Sequence, residues 1–290
     1  MSISKIIDLY LNKENSIAKS NYKRWFAPIA ALSIHLCIGQ IYAFSVFNKP
    51  LTKIIGITEQ LPEDWTLSEL GWIFTLAIFF LGASTAVLGK WVEKVGPRKT
   101  MFFAAIFFSS GFLLSSLGIY VHELWMLYLG SGVLGGIGLG LGYISPVSTL
   151  MKWFPDRPGM AIGMAIMGFG GGAMIASPLS VYLIAFYATE TSTGVSATFL
   201  TLGLLYLVMM LFGSLIIKIP REGWKPEGFD PTTARKSKLI TTQNVLVDTA
   251  VKTPQFWLLF MVLGLNVSAG IGVLSQASVM IQEMFSSENR

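Results

Sequence analysis

Few side chains in this sequence can do polar chemistry, and they stand inside long apolar stretches. His35 and Tyr42 are seven residues apart between Trp25 and Asn48, a spacing that places both on one face of a helix. Gln40 and Ser45 lie near them. Tyr143, Ser145 and Ser148 form a second set, and Asn266, Ser268, Ser275 and Gln276 a third. A phenol hydroxyl or an amide N–H donates to a carboxylate oxygen. The candidates for lining a substrate cavity are therefore Tyr42, Gln40, His35, Tyr143, Asn266 and Gln276. The alternative assignment is internal. Serine hydroxyls in helices bond the carbonyl one turn back, and His35 can be a packing residue in place of a proton carrier.

Covalent and metal chemistry have little to work with. The sequence has two histidines, His35 and His122, and no His-Glu-x-x-His pattern, so a hydrolytic or zinc-binding set is not expected and no enzyme activity is read. One cysteine, Cys37, excludes an intrachain disulfide and a cysteine metal cluster. Gly168–Gly172 lacks the Lys-Ser/Thr that a nucleotide-binding loop requires, and no cofactor is expected.

The elements that position these residues follow from where charge is missing. Of 290 residues, 53% are apolar and 13% charged, about half the charge of a soluble domain. Mean hydropathy is +0.61. Seven stretches hold no Asp, Glu, Lys or Arg: 25–48, 71–89, 100–122, 124–151, 158–189, 191–217 and 253–281. A helix crosses a bilayer core with roughly 20 apolar residues. The expectation is an all-α membrane protein with seven transmembrane helices.

Basic residues set the orientation. With the N-terminus inside, the tail, the loops at 90–99 and 152–157 and the stretch 218–252 carry 18 of the 21 Lys and Arg, leaving Lys49, Lys53 and Arg290 outside. The acids divide eight and eight. The net charge of +5 is thus a topology signal, and no nucleic-acid partner is expected. Trp25, Trp72, Trp91, Trp125, Trp153 and Trp257 fall near span ends, as an interfacial belt requires. The expected location is a cell (inner) membrane with a cytoplasmic N-terminus. The tail carries Ile3, Ile6, Ile7, Leu9, Tyr10 and Leu11, which suits either a surface helix or a frayed polar tail.

The layout reads as a tail (1–24), six helices (25–217), a polar linker (218–252) and one more helix (253–290). This matches one half of a 6+6 transporter plus the opening helix of the other, with five helices to follow. The alternatives are a genuine seven-helix protein, or a non-transporting membrane partner or sensor. Glycines recur along spans four and five: Gly132, Gly136 and Gly140, then Gly159, Gly163, Gly168 and Gly172. Small residues every fourth position let another backbone come close, for static packing or for helices that rock.

Between spans two and three, Gly89, Glu93, Gly96, Arg98 and Lys99 surround a tight reversal at Gly96-Pro97. Glu93 is placed to accept from Arg98 or to sit near a helix N-terminus. This spacing resembles the loop signature of the major facilitator superfamily, with Glu93 for the usual Asp and Pro97 for a usual Arg. Three further segments, 39–47, 152–159 running on to Ser177-Pro178-Leu179, and 253–257, resemble the oxalate/formate antiporter family, a relative of monocarboxylate transporters. The resemblance covers nearly all of the chain after residue 23. It implies a major facilitator helical bundle and secondary transport of small carboxylates such as oxalate, formate, lactate or pyruvate by alternating access. It makes 89–99 a cytoplasmic latch, in which Glu93 and Arg98 do not bind substrate. It places cavity tyrosines at Tyr42 and Tyr143, and the cationic part of an anion site in later helices. No Asp, Glu, Lys or Arg lies mid-span, so residues 1–290 hold the neutral part of such a site.

Overall fold

The computed structural model describes residues 10–229 and 247–285, and the chain divides into two units, Met1–Trp224 and Lys225–Arg290. The first unit holds six long helices: α1 (Phe26–Leu51), α2 (Leu67–Val95), α3 (Pro97–Tyr120), α4 (Leu124–Trp153), α5 (Pro158–Tyr187) and α6 (Val195–Ile216). The second holds a short turn at Val247–Ala250 and α7 (Pro254–Phe285). All seven are long and apolar enough to cross a membrane.

Local chemistry fixes the breaks between helices. Thr66 and Glu69 close a reciprocal capping box at the start of α2, with Thr66 N donating to Glu69 Oε2 over 2.8 Å. Gly96 has φ of +83°, a conformation that suits glycine, and Pro97 opens α3 immediately after it. Pro158 opens α5 in the same way. The charge-free stretches marked the helices but cut α2 short at both ends. Charged residues in its first and last turns (Glu69, Lys90, Glu93 and Lys94) remain helical because they lie at the ends of the span, where charged side chains reach water.

Two helices depart from α-geometry. In α1 the backbone tightens into a 3-10 run over Gly39–Phe47, which is long for that form. Gly39 explains part of it: a Cβ there would lie 2.9 Å from the Gly172 Cα, so the backbones of α1 and α5 nearly touch. In α4 the turn Tyr128–Leu134 is a π-helix. Opposite it, the Ser115 hydroxyl takes the Ser131 N–H over 2.9 Å and pairs with the Ser131 hydroxyl over 2.7 Å.

Packing places α3 against α4 and α6, α2 against α4, and α1 against α4, α5 and α6. Phe44, Phe47, Phe112, Phe199 and Tyr206 interlock at ring distances of 4.7–6.3 Å between α1, α3 and α6. One end of the bundle is closed by the loop before α2. There the Asp64 carboxylate accepts from the N–H groups of Ile55, Gly56 and Leu61 at 2.7, 3.1 and 3.0 Å. His122, itself at φ +58°, stacks on Trp65 with ring centres 4.5 Å apart.

The other end is closed by the tail. Residues 1–9, with Ile3, Ile6, Ile7 and Leu9, lie outside the described part; from Lys13 onward the tail is bonded to the bundle. Ala18 N donates to Ile219 O and Ile219 N to Ser16 O, both over 2.9 Å, and Arg221 Nε reaches Ala18 O over 3.0 Å. Residues 10–24 form a strap bonded to the chain leaving α6. Residues 230–246 of the expected linker lie outside the described part.

Candidate functional site

Tyr42 and Tyr143, with His35 behind Tyr143, converge on one ring, Phe169 of α5. Tyr42 meets it edge-on with centroids 4.7 Å apart, and Tyr143 at 5.7 Å. The His35 ring lies 5.9 Å from that of Tyr143. The tightened backbone of Gly39–Phe47 changes the phase between His35 and Tyr42, yet both still face α5. His35 is fully buried, with Nε2 3.4 Å from the Tyr143 carbonyl. That acceptor puts the proton on Nε2 and leaves Nδ1 without a hydrogen-bond partner among the described residues. Tyr42 is half-buried and Tyr143 is 36% exposed, and neither hydroxyl is bonded to another described residue. Two phenol donors therefore stand available at an aromatic wall.

Gln40 is not part of this group. It is fully buried on the side of α6, and its Oε1 accepts from the Tyr206 hydroxyl over 2.7 Å. Its Nε2 has no partner among the described residues. Asn266 and Gln276 belong to α7, in the other unit. Ser148 and Ser275 follow the internal assignment, donating to Ser145 O and Gly272 O, whereas Ser145 reaches across to Pro97 O of α3. Among the described residues no three His, Cys, Asp or Glu side chains form a metal-binding group.

The 89–99 loop departs from expectation at Arg98. The guanidinium is 1% exposed and donates through Nη1 to Tyr10 O (3.0 Å) and Nη2 to Ile217 O (3.2 Å), lying over the Tyr10 ring at 4.7 Å. It does not pair with Glu93, whose side chain is exposed. The reason is proximity: two carbonyls of the strap and the α6 exit already occupy its fork. Lys13 Nζ instead donates to the Glu93 carbonyl over 2.9 Å. Gly96 is buried beside Lys13, while Gly89 has open space around it.

The glycines divide similarly. Gly132, Gly136 and Gly140 face Leu76, Ala77 and Leu81 of α2, and Gly168 and Gly172 face Leu32, His35 and Leu36 of α1. Gly159 and Gly163 meet nothing within 4 Å, so the described residues give them no packing role.

Sequence reasoning missed three groups. Arg24 grips Asp156 with two bonds of 2.7 and 3.1 Å, and these hold the Asp156 carboxyl below the usual carboxylate range. Trp153, expected in an interfacial belt, is 1% exposed and donates to Lys218 O over 2.7 Å, between Tyr22 and Trp224. Tyr206 was overlooked as the partner of Gln40. The loop residues 152–157 were visible as a motif, but Arg24 and Lys218, which bond Asp156 and Trp153, are 132 and 65 residues away in sequence.

The family model for the Major Facilitator Superfamily matches residues 30–287. The chain belongs to the major facilitator superfamily. Within the superfamily it is 27% identical over 267 residues to an uncharacterized MFS-type transporter, YhjX, of Escherichia coli (strain K12), covering 91% of this chain and 60% of that protein. It is 26% identical over 238 residues to the oxalate:formate antiporter of Oxalobacter formigenes (82% and 50%). It is 29% identical over 218 residues to monocarboxylate transporter 1 of Bos taurus (74% and 38%). This superfamily member spans about half the length of the curated relatives it matches.

Proposed function

We propose that this chain provides the N-terminal half and the seventh helix of a secondary transporter of small organic anions, and that it is not an enzyme. In this reading residues 25–217 are the transporter half, 218–252 a cytoplasmic linker and 253–290 the first helix of the second half, which five more helices complete. Tyr42 and Tyr143 bind the carboxylate by donating hydrogen bonds, and His35 and Phe169 form the wall behind them. Asn266 and Gln276 are the polar contribution of α7. Gln40 acts indirectly, holding α1 to α6 through Tyr206. The cations an anion site needs come from outside residues 1–290, and oxalate, formate and monocarboxylates are the substrates to test.

The observation that supports this most is the pair of uncommitted phenols converging on Phe169. Relatives named for oxalate:formate exchange and monocarboxylate transport support the substrate class. The basic end of the bundle, with Lys13, Lys19, Lys94, Lys152 and Lys218, is assigned to the cytoplasm by the same charge asymmetry that sets topology. Cysteine labelling tests both parts. Cys37 is buried, so a Tyr42→Cys or Tyr143→Cys thiol is read without background. Oxalate or lactate should slow its reaction with a small methanethiosulfonate. Labelling unaffected by every small carboxylate overturns the site assignment. A Lys152→Cys thiol reached by an impermeant reagent from outside intact cells overturns the orientation.

A further inference from the structure

A cleft of about 360 Å³ opens at the strap end of the bundle, lined by Lys19, Asn21, Tyr22, Lys23, Phe26 and Lys218. Three lysines line it, and among the described residues no acid does. The carboxylate brought close by the fold, Asp156, is taken by Arg24 through both of its oxygens. Lys218 donates to the Asn15 carbonyl over 2.9 Å, a neutral acceptor that leaves its charge uncancelled. Burial and then the nearby charges of Arg98 and Lys19 push the Lys218 ammonium below the usual lysine range. An anion in the cleft would relieve that repulsion. The walls are mixed. Phe26, the first residue of α1, is 55% exposed, and Ile29 one turn on is 50% exposed. Near the end of α6, Phe212 and Leu215 are also exposed. The cleft thus meets an apolar helix surface at the level where a span begins, which is the depth of lipid phosphates.

We propose that this cleft binds a phosphate ester, carried there by an anionic phospholipid whose acyl chains lie on the exposed residues of α1 and α6. Lys19 and Lys23 supply the charge, Lys218 and Asn21 supply further donors, and Tyr22 and Phe26 take the glycerol region. The strap that closes this end of the bundle then carries a lipid contact, and the contact stiffens the strap. The proposal concerns the outer rim of the helical bundle and does not depend on what the transporter carries.

The test uses the chain in nanodiscs. Retention of phosphatidylglycerol against phosphatidylcholine is read by native mass spectrometry after gentle release. The variant Lys19→Gln/Lys23→Gln leaves Lys218 and its strap bond in place. Each basic residue near an anionic surface is worth about a fivefold factor, so roughly 25-fold weaker phosphatidylglycerol retention is expected. The charge-matched variant Lys94→Gln/Lys152→Gln, outside the cleft, should stay within about twofold. Inorganic phosphate at millimolar concentration should not displace the lipid. An equal loss in both variants means a diffuse surface field and overturns the site. Displacement of the lipid by inorganic phosphate, or phosphate binding as strong in pure phosphatidylcholine, overturns the lipid as its source.

Discussion

Arg98 separates a pairing with Glu93 from an anchor on the strap. Its guanidinium is 1% exposed and holds two carbonyls, Tyr10 O at 3.0 Å and Ile217 O at 3.2 Å. Each bond from a charged donor contributes about 1.5–3 kcal/mol, and the contact over the exposed Tyr10 ring adds about 0.5–1 kcal/mol. Desolvation of the charge offsets several kcal/mol of this. Arg98→Gln should therefore cost about 2–4 kcal/mol, felt locally where the strap meets the α6 exit. That corresponds to roughly 30- to 800-fold more frequent opening. Hydrogen exchange reads it directly, because the amides of Ala18 and Ile219 are bonded across this junction. Their protection should fall by that factor, while amides in the middle of α3 stay protected. Glu93→Gln should leave both unchanged, since the Glu93 carboxylate does not touch Arg98. Equal deprotection in Glu93→Gln, or no deprotection in Arg98→Gln, would refute the reasoning.

Other outcomes follow from the same geometry. Tyr206→Phe removes the 2.7 Å bond to buried Gln40 and should cost about 1–3 kcal/mol, seen as a lower unfolding temperature in detergent. Gly136→Val should destabilise strongly, since a Cβ would sit 2.6 Å from Ala77 O, whereas Gly163→Val, facing open space, should leave the unfolding temperature nearly unchanged. The Asp156 carboxyl is depressed below its ordinary 3.8, chiefly by Arg24, so its contribution is complete above that value and is lost as pH falls through the lower folded-state value. Asp156→Asn should remove this acid-side loss from the pH profile of unfolding. Asp64→Asn replaces one acceptor oxygen among three backbone N–H groups and should cost about 1.5–3 kcal/mol, with new proteolytic cuts in 52–66.

The helices were legible because charge is expensive inside a bilayer, so its absence over seven stretches marks them directly. Their ends were less so, because capping at Thr66 and Glu69 and the charged last turn of α2 extend a helix past its apolar stretch. The triad of His35, Tyr42 and Tyr143 was readable as polar residues in apolar spans. Phe169, which the two tyrosines share, is one apolar residue among many and carries no sequence signal. Gln40 was grouped with His35 and Tyr42 by nearness in sequence alone; two residues from Tyr42 and five from His35, it falls on the opposite face of a helix, where its partner Tyr206 is 166 residues away. The strap was invisible for a different reason. Its bonds end on backbone carbonyls far away in sequence, as from the Arg98 guanidinium to Tyr10 O across 88 residues, and backbone groups are the same in every sequence.

The central claim is transport of a small carboxylate past Tyr42 and Tyr143. Its most direct test is counterflow in proteoliposomes, using the polypeptide expressed from its native reading frame and labelled oxalate, formate, lactate and pyruvate. At least one should exchange, and Tyr42→Phe and Tyr143→Phe should each weaken it by roughly 5- to 10-fold, the loss of one hydrogen bond. Folded protein, with Ala18 and Ile219 protected as in the native state, that exchanges none of the four carboxylates would contradict the account.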